Sequence, residues 1–117
     1  MKKVFVEKPW GSEEIWAQTE NYVGKILNFQ PNKKLSLQYH IKKEETIRVL
    51  DGILFLHHNN SEGDLTISPL SVGDVFHISP GTVHRFEARN SQVTLLEVST
   101  IEIDDVIRIE DDFGRAN

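Results

Sequence analysis

Thr46-Ile47-Arg48-Val49-Leu50-Asp51-Gly52-Ile53-Leu54-Phe55-Leu56-His57 sets two β-branched and apolar runs on either side of Asp51-Gly52. Asp-Gly between such runs is the strongest short hairpin signal, because a tight hairpin turn needs positive φ at its centre. The stretch predicts a strand over 46–50 and a returning strand over 53–57. Upstream, residues 34–40, 22–29 and 14–17 read as strands, separated by Pro31-Asn32 and Thr19-Glu20-Asn21. Lys8-Pro9-Trp10-Gly11 reads as a bend with a large apolar anchor. Downstream, strands are predicted over 65–70, 75–78, 83–88 and 93–99, and Ile103 to Arg115 as a last strand with a loose end or a short helix. Nine or ten short strands at regular spacing indicate an all-β sandwich or barrel. One domain over residues 1–117 is expected.

Bulk composition excludes several function classes. The chain has 117 residues, 38% hydrophobic and 26% charged, with no cysteine. Disulfides, thiolate metal sites and cysteine nucleophiles are therefore ruled out. No apolar run approaches the roughly 20 residues of a membrane span, and the N-terminus lacks the apolar region of a signal peptide. The expected setting is the cytoplasm. Of the net charge of −5, residues 101–117 carry −4 as an acidic C-terminal tail. The near-neutral body offers no basic face for nucleic acid.

Leu35-Ser36-Leu37-Gln38-Tyr39-His40-Ile41-Lys42-Lys43-Glu44-Glu45 carries the chemistry. Alternate residues of a strand share a face, so Gln38 and His40 project together. A short turn brings back Glu45. A carbonyl oxygen, an imidazole and a carboxylate form most of a metal site, and the rest of the chain must supply a fourth ligand and walls.

Two spaced motifs extend this pattern: Asn32-x5-Gln38-x-His40-x4-Glu45-x6-Gly52 and Gly73-x5-Ser79-x-Gly81-x2-His84-x3-Ala88. Their spacing resembles that of the cupin superfamily. Together with Lys8-Pro9-Trp10-Gly11, Gly81-Thr82-Val83-His84-Arg85 and the tail from Asp105 to Arg115, the chain is similar to the C-terminal cupin domain of type II mannose-6-phosphate isomerases. The resemblance implies a small double-stranded β-helix, or jelly-roll, barrel. It places a divalent metal at Gln38, His40, Glu45 and His84. Zinc suits such an oxygen and nitrogen set first, then manganese, iron, cobalt or nickel.

The chain departs from the family where His-His-Arg-x-Glu-His-Trp usually follows His40. Ile41, Lys42 and Thr46 stand at histidine positions and Ile47 at the tryptophan. If one of those histidines carries the proton or holds the substrate, that role is lost. Ala88 replaces a frequent asparagine, and Pro80 sits one place late.

The activity implied is interconversion of mannose 6-phosphate and fructose 6-phosphate. Aldose–ketose isomerisation needs a Lewis acid, a base and a grip on the phosphate. Arg85 is the first candidate for the phosphate, with Lys42 and Lys43 behind it. Lys42 or His77 would be the base. Arg108 and Arg115 either fold over the barrel mouth or belong to a solvated terminus. His57 and His58 are expected in solvent. The chain shows no glycine-rich nucleotide loop, so no guanylyltransferase activity is expected. Two alternatives stay open: an isomerase or epimerase of another, nucleotide-linked sugar, and a non-catalytic sugar- or metal-binding module. The partners expected are a small sugar phosphate and a second copy in a homodimer, paired through an exposed β-edge.

Overall fold

A computed structural model describes residues 4–115; Met1 to Lys3, where the N-terminus read for a signal peptide begins, and Ala116 to Asn117 lie outside the described residues. The strands are β1 Val4–Lys8, β2 Gly11–Gln18, β3 Val23–Phe29, β4 Lys33–Lys34, β5 Leu37–Tyr39, β6 Glu45–Asp51, β7 Leu54–Asn59, β8 Leu65–Leu70, β9 Val75–Ile78, β10 His84–Ala88, β11 Val93–Ser99 and β12 Ile107–Glu110. No helix occurs among the described residues, so none is long and apolar enough to cross a membrane. All pairings are antiparallel. One sheet runs β1-β2-β3-β11-β6-β9, the other β12-β5-β10-β7-β8 with β4 beside β10. The two sheets enclose a common core, as expected of a double-stranded β-helix.

The Asp51-Gly52 turn is not a hairpin. β6 pairs with β11 and β9, whereas β7 pairs with β10 and β8. The turn carries the chain from one sheet into the other. Its glycine has the positive φ expected, +78°, and is needed for a second reason as well: a Cβ there would meet the Gln92 carbonyl oxygen at 2.2 Å. The true local hairpins are β1–β2, β2–β3 and β7–β8. β1 was not expected as a strand. The two-residue turn at Pro9-Trp10 folds it back so that Lys8 faces Gly11.

Alternation along each strand sorts side chains inward and outward. On β11, Val93, Leu95, Glu97 and Ser99 are buried; on β6, Glu45, Ile47 and Val49 are. Trp10, Phe29, Val49, Leu54, Leu56 and Phe86 belong to the apolar core, with the Trp10 and Phe29 rings edge to face at 4.2 Å. The same inward rows change character along the barrel. Lys25, Glu97 and Glu45 continue the rows begun by Phe29, Val93 and Val49. One end of the interior is thus an apolar plug and the other a charged mouth.

Candidate metal centre

Three strands from both sheets deliver the site. His40 lies one residue past β5, Glu45 begins β6 and His84 begins β10. All three are buried, and ligand atoms from each lie within 4.8 Å of one another. His40 Nε2 is 3.4 Å and His84 Nε2 3.8 Å from the Glu45 carboxylate. The imidazole rings sit 5.1 Å apart.

The tautomers follow from the outer contacts. His40 Nδ1–H donates to the Asp105 carbonyl at 2.6 Å, and His84 Nδ1–H to the Thr82 carbonyl at 2.9 Å. Each ring therefore turns a bare Nε2 lone pair toward the centre, and neither Nε2 has a hydrogen-bond partner; Glu45 Oε2 meets them from an ion pair with Lys43. Buried polar atoms left without partners are costly. Two of them converging on a buried carboxylate, with backbone carbonyls fixing the rings, is the arrangement a metal-binding site requires. The residues fit a divalent ion.

Gln38, expected as a fourth ligand, stands beside this group. It faces His84 across the β5–β10 pair and lines the same cavity. Its Oε1 accepts from the buried Ser36 hydroxyl at 2.7 Å, which fixes the amide.

Electrostatics favour the ligand forms. Burial pushes the Glu45 carboxyl up, but the His40 ring, the Lys43 ammonium and His84 outweigh it and hold the group below the usual carboxylate range. Burial lowers His84, keeping it neutral. Lys43 is a buried cation 3.0 Å from Glu45 and 3.5 Å from Glu97. Burial would lower its pKa, but Glu97 and Glu45 raise it well above the ordinary value. Glu97 is pushed up by burial and by the Glu45 charge. Deeper along the wall, Lys25 pairs with Glu13 at 2.6 Å.

Gln38, His40, Lys43, Glu45 and Glu97 line a cavity of about 250 Å3, near the lower edge of the roughly 300–1,000 Å3 found for small-ligand sites. The tail forms part of its wall. Ile103, Asp104, Val106, Arg108 and Arg115 all face it, and Phe113 packs on the core. Asp105 ties the tail to the ligand loop, its carboxylate accepting the backbone N–H of Ile41, Lys42 and Lys43 at 3.1, 2.6 and 2.9 Å. Those N–H groups hold its pKa at about 2.

The structure brings His40, Glu45 and His84 together, with Gln38 opposite His84 on the neighbouring strand. It does not bring the other candidates to them. Arg85 follows His84 on β10 and so faces the opposite side. Its Nε donates to the Leu35 carbonyl at 2.7 Å and Nη2 to the Glu110 carbonyl at 3.3 Å, stitching β12 to the segment before β5. Lys42 is exposed. His77 is half exposed and bonded to Glu44 at 2.6 Å, outside the barrel. His58 and His57, expected in solvent, are both partly covered: His58 faces inward, bonded to Ser68 at 2.9 Å, and His57 holds Glu87 at 2.8 Å. The replaced positions Ile41 and Lys42 are exposed, and Thr46 shares the outer face of β6 with Arg48. None of the three lines the cavity. Sequence reading passed over Glu97, Glu13, Lys25 and Asp105. The inward parity of Glu97 with Val93 and Leu95 was the available signal.

A family model described as mannose-6-phosphate isomerase C-terminal matches residues 1–111. The mannose-1-phosphate guanylyltransferase ManC of Salmonella typhimurium is 30% identical over 114 residues, covering 94% of this chain; the chain spans 23% of that protein's length. Among solved structures, the capsular polysaccharide assembling protein CapF of Staphylococcus aureus superposes with TM-score 0.79 at 15% identity, over 94% of this chain and 35% of that one. A cupin-superfamily sugar phosphate isomerase from Silicibacter pomeroyi gives 0.66 at 23% identity, over 76% and 58%. KdgF from Halomonas gives 0.72 at 18% identity, over 86% and 90%. These likenesses establish the cupin fold.

Proposed function

The chain belongs to the mannose-6-phosphate isomerase C-terminal family, and on that footing we propose that it is a metal-dependent sugar-phosphate isomerase interconverting mannose 6-phosphate and fructose 6-phosphate. The observation that carries this reading is the convergence of His40 Nε2 and His84 Nε2, both buried and without hydrogen-bond partners, on the buried Glu45 carboxylate beside a cavity near the size of small-ligand sites. Gln38 joins them as fourth ligand. Zinc is the first ion to load. A divalent ion there supplies a Lewis acid for the sugar's carbonyl oxygen.

The chain's own groups supply the rest. Lys43 stays charged and offers ammonium protons to sugar oxygens inside the cavity. Glu97 is the proton acceptor in this reading, since burial and the Glu45 charge raise its carboxyl above an ordinary glutamate and so make it the stronger base. The base thus moves from Lys42 or His77, which point to solvent, into the interior. Arg85 serves as a strand tie. The family histidines missing at Ile41, Lys42 and Thr46 are missing from the outside of the barrel, so their loss removes nothing from the cavity wall.

Metal-stripped protein reloaded with zinc, manganese, iron, cobalt or nickel should interconvert the two hexose phosphates, and Glu97→Gln should abolish turnover without loss of bound metal. Inactivity with every ion sinks the reading. Activity confined to a nucleotide-linked sugar in the same panel redirects it. A homodimer in the cytoplasm belongs to the same proposal; exposed Phe5, Trp16, Val75 and Val98 on the β1–β9 sheet are the surface to test by sedimentation.

A further inference from the structure

We propose that Arg108 is the anchor for a phosphoryl group, or a dianion of the same shape, and so decides that this cavity takes phosphorylated rather than neutral sugars. The inference rests on the sugar-phosphate reading above and names the residue that reading leaves open.

Register places it. Arg108 of β12 faces Gln38 of β5, and Gln38 faces His84 of β10. The three form one row across the inner face of the sheet. Neighbouring strands lie roughly 4.8 Å apart, so the Arg108 backbone stands about 10 Å from that of His84. Arg108 therefore starts one strand from Gln38 and two from His84, on the wall of the same cavity. A six-carbon sugar with its carbonyl end at the ligands would reach its far phosphate toward Arg108.

Charge pairing singles it out. Five cations line the cavity: Lys8, Lys25, Lys43, Arg108 and Arg115. Lys25 is held by Glu13 at 2.6 Å, which Lys8 also approaches at 3.7 Å. Lys43 lies between Glu45 and Glu97. Arg115 grips Asp111 with two nitrogens at 2.8 and 3.1 Å. Among the described residues Arg108 has no such carboxylate, and its Nε is buried without an acceptor. An unmet buried N–H is unfavourable until something accepts from it. A forked guanidinium matches phosphate oxygens in pairs. Arg85, the cation expected in this role, spends its donors on backbone carbonyls.

Calorimetric titration of zinc-loaded protein with mannose 6-phosphate, mannose and inorganic phosphate tests the assignment. Wild type should bind the phosphorylated sugar more tightly than mannose. Arg108→Ala should weaken mannose 6-phosphate and inorganic phosphate roughly 10- to 150-fold, with mannose affinity and zinc content unchanged. Arg108→Lys keeps the charge, loses the fork and should fall between, which preserves the test if the alanine variant does not fold. Equal loss for mannose and mannose 6-phosphate, or no loss, overturns the proposal. The two readings separate cleanly. Phosphate-selective binding lost in Arg108→Ala upholds the anchor even in a protein that turns nothing over. Isomerase activity with unchanged KM in Arg108→Ala rejects the anchor and keeps the isomerase.

Discussion

Replacing Lys43 with methionine removes an ammonium that sits 3.0 Å from Glu45 and 3.5 Å from Glu97. It leaves two buried acids without their common counter-charge. Methionine keeps most of the stem volume, so the loss is electrostatic rather than a cavity. Stripping one partner from a buried ion pair costs roughly 3–5 kcal/mol, which in a chain of 117 residues lowers Tm by roughly 10–20 °C. Two conditions should shrink that deficit. A zinc ion on Glu45 supplies positive charge at the same carboxylate, so saturating zinc should raise the Tm of Lys43→Met more than that of wild type. Acid should act as well. Glu97 is already pushed up by burial and Glu45, and without Lys43 it rises further. A group with a raised folded pKa binds its proton first in the folded state, so it destabilises as pH rises through the window above the ordinary carboxylate value. The variant should therefore recover toward wild type between pH 8 and pH 5. Scanning calorimetry at both pH values, with and without zinc, reads all four states. A deficit of the same size in all four refutes the placement of Lys43 between the two acids and beside the metal.

Three further outcomes follow from the geometry. Ser36→Ala removes the hydroxyl that fixes the Gln38 amide and should lower zinc affinity by roughly 10- to 100-fold in competition with a chelating dye; unchanged affinity would mean Gln38 is no ligand. Gly52→Ala forces a left-handed backbone and a 2.2 Å contact with the Gln92 carbonyl, and should cost at least roughly 1–3 kcal/mol in urea unfolding. The Asp105 carboxyl, held at about 2 by three N–H donors, stays ionised in the folded chain after its unfolded counterpart has protonated. Its contribution is present above the ordinary aspartate value and fades as pH falls toward 2. Asp105→Asn should flatten the acid limb of a melting curve followed from pH 5 to pH 2.

Strand content was legible because period-2 alternation and turn residues are local. Sheet membership was not. Asp51-Gly52 has the composition of a hairpin turn, yet nothing in a dipeptide says whether the strand beyond it returns to the same sheet or crosses to the other. That choice is made by β11 and β10, which claim β6 and β7 from far along the chain. The cluster of His40, Glu45 and His84 was legible because these residues keep a recognisable spacing. The neighbours were harder. Lys42 and Lys43 are identical in composition, but the Asp105 clamp bends the loop so that the first is exposed and the second buried. Arg85 could have been corrected from the sequence, since an inward His84 sends the next residue outward.

The Asp105 clamp also bears on the order of assembly. His40 Nδ1–H donates to a carbonyl 65 positions later, and β5 finds β12 only after the strands before it have been made. On a ribosome the chain emerges from the N-terminus, so the barrel's two sheets can begin to close while His40 still lacks the carbonyl that orients it. Contacts of such long sequence separation form late and slowly. A nascent chain arrested after β11 would then be folded along its plug and unable to select a metal, and loading would wait for the last strand to dock.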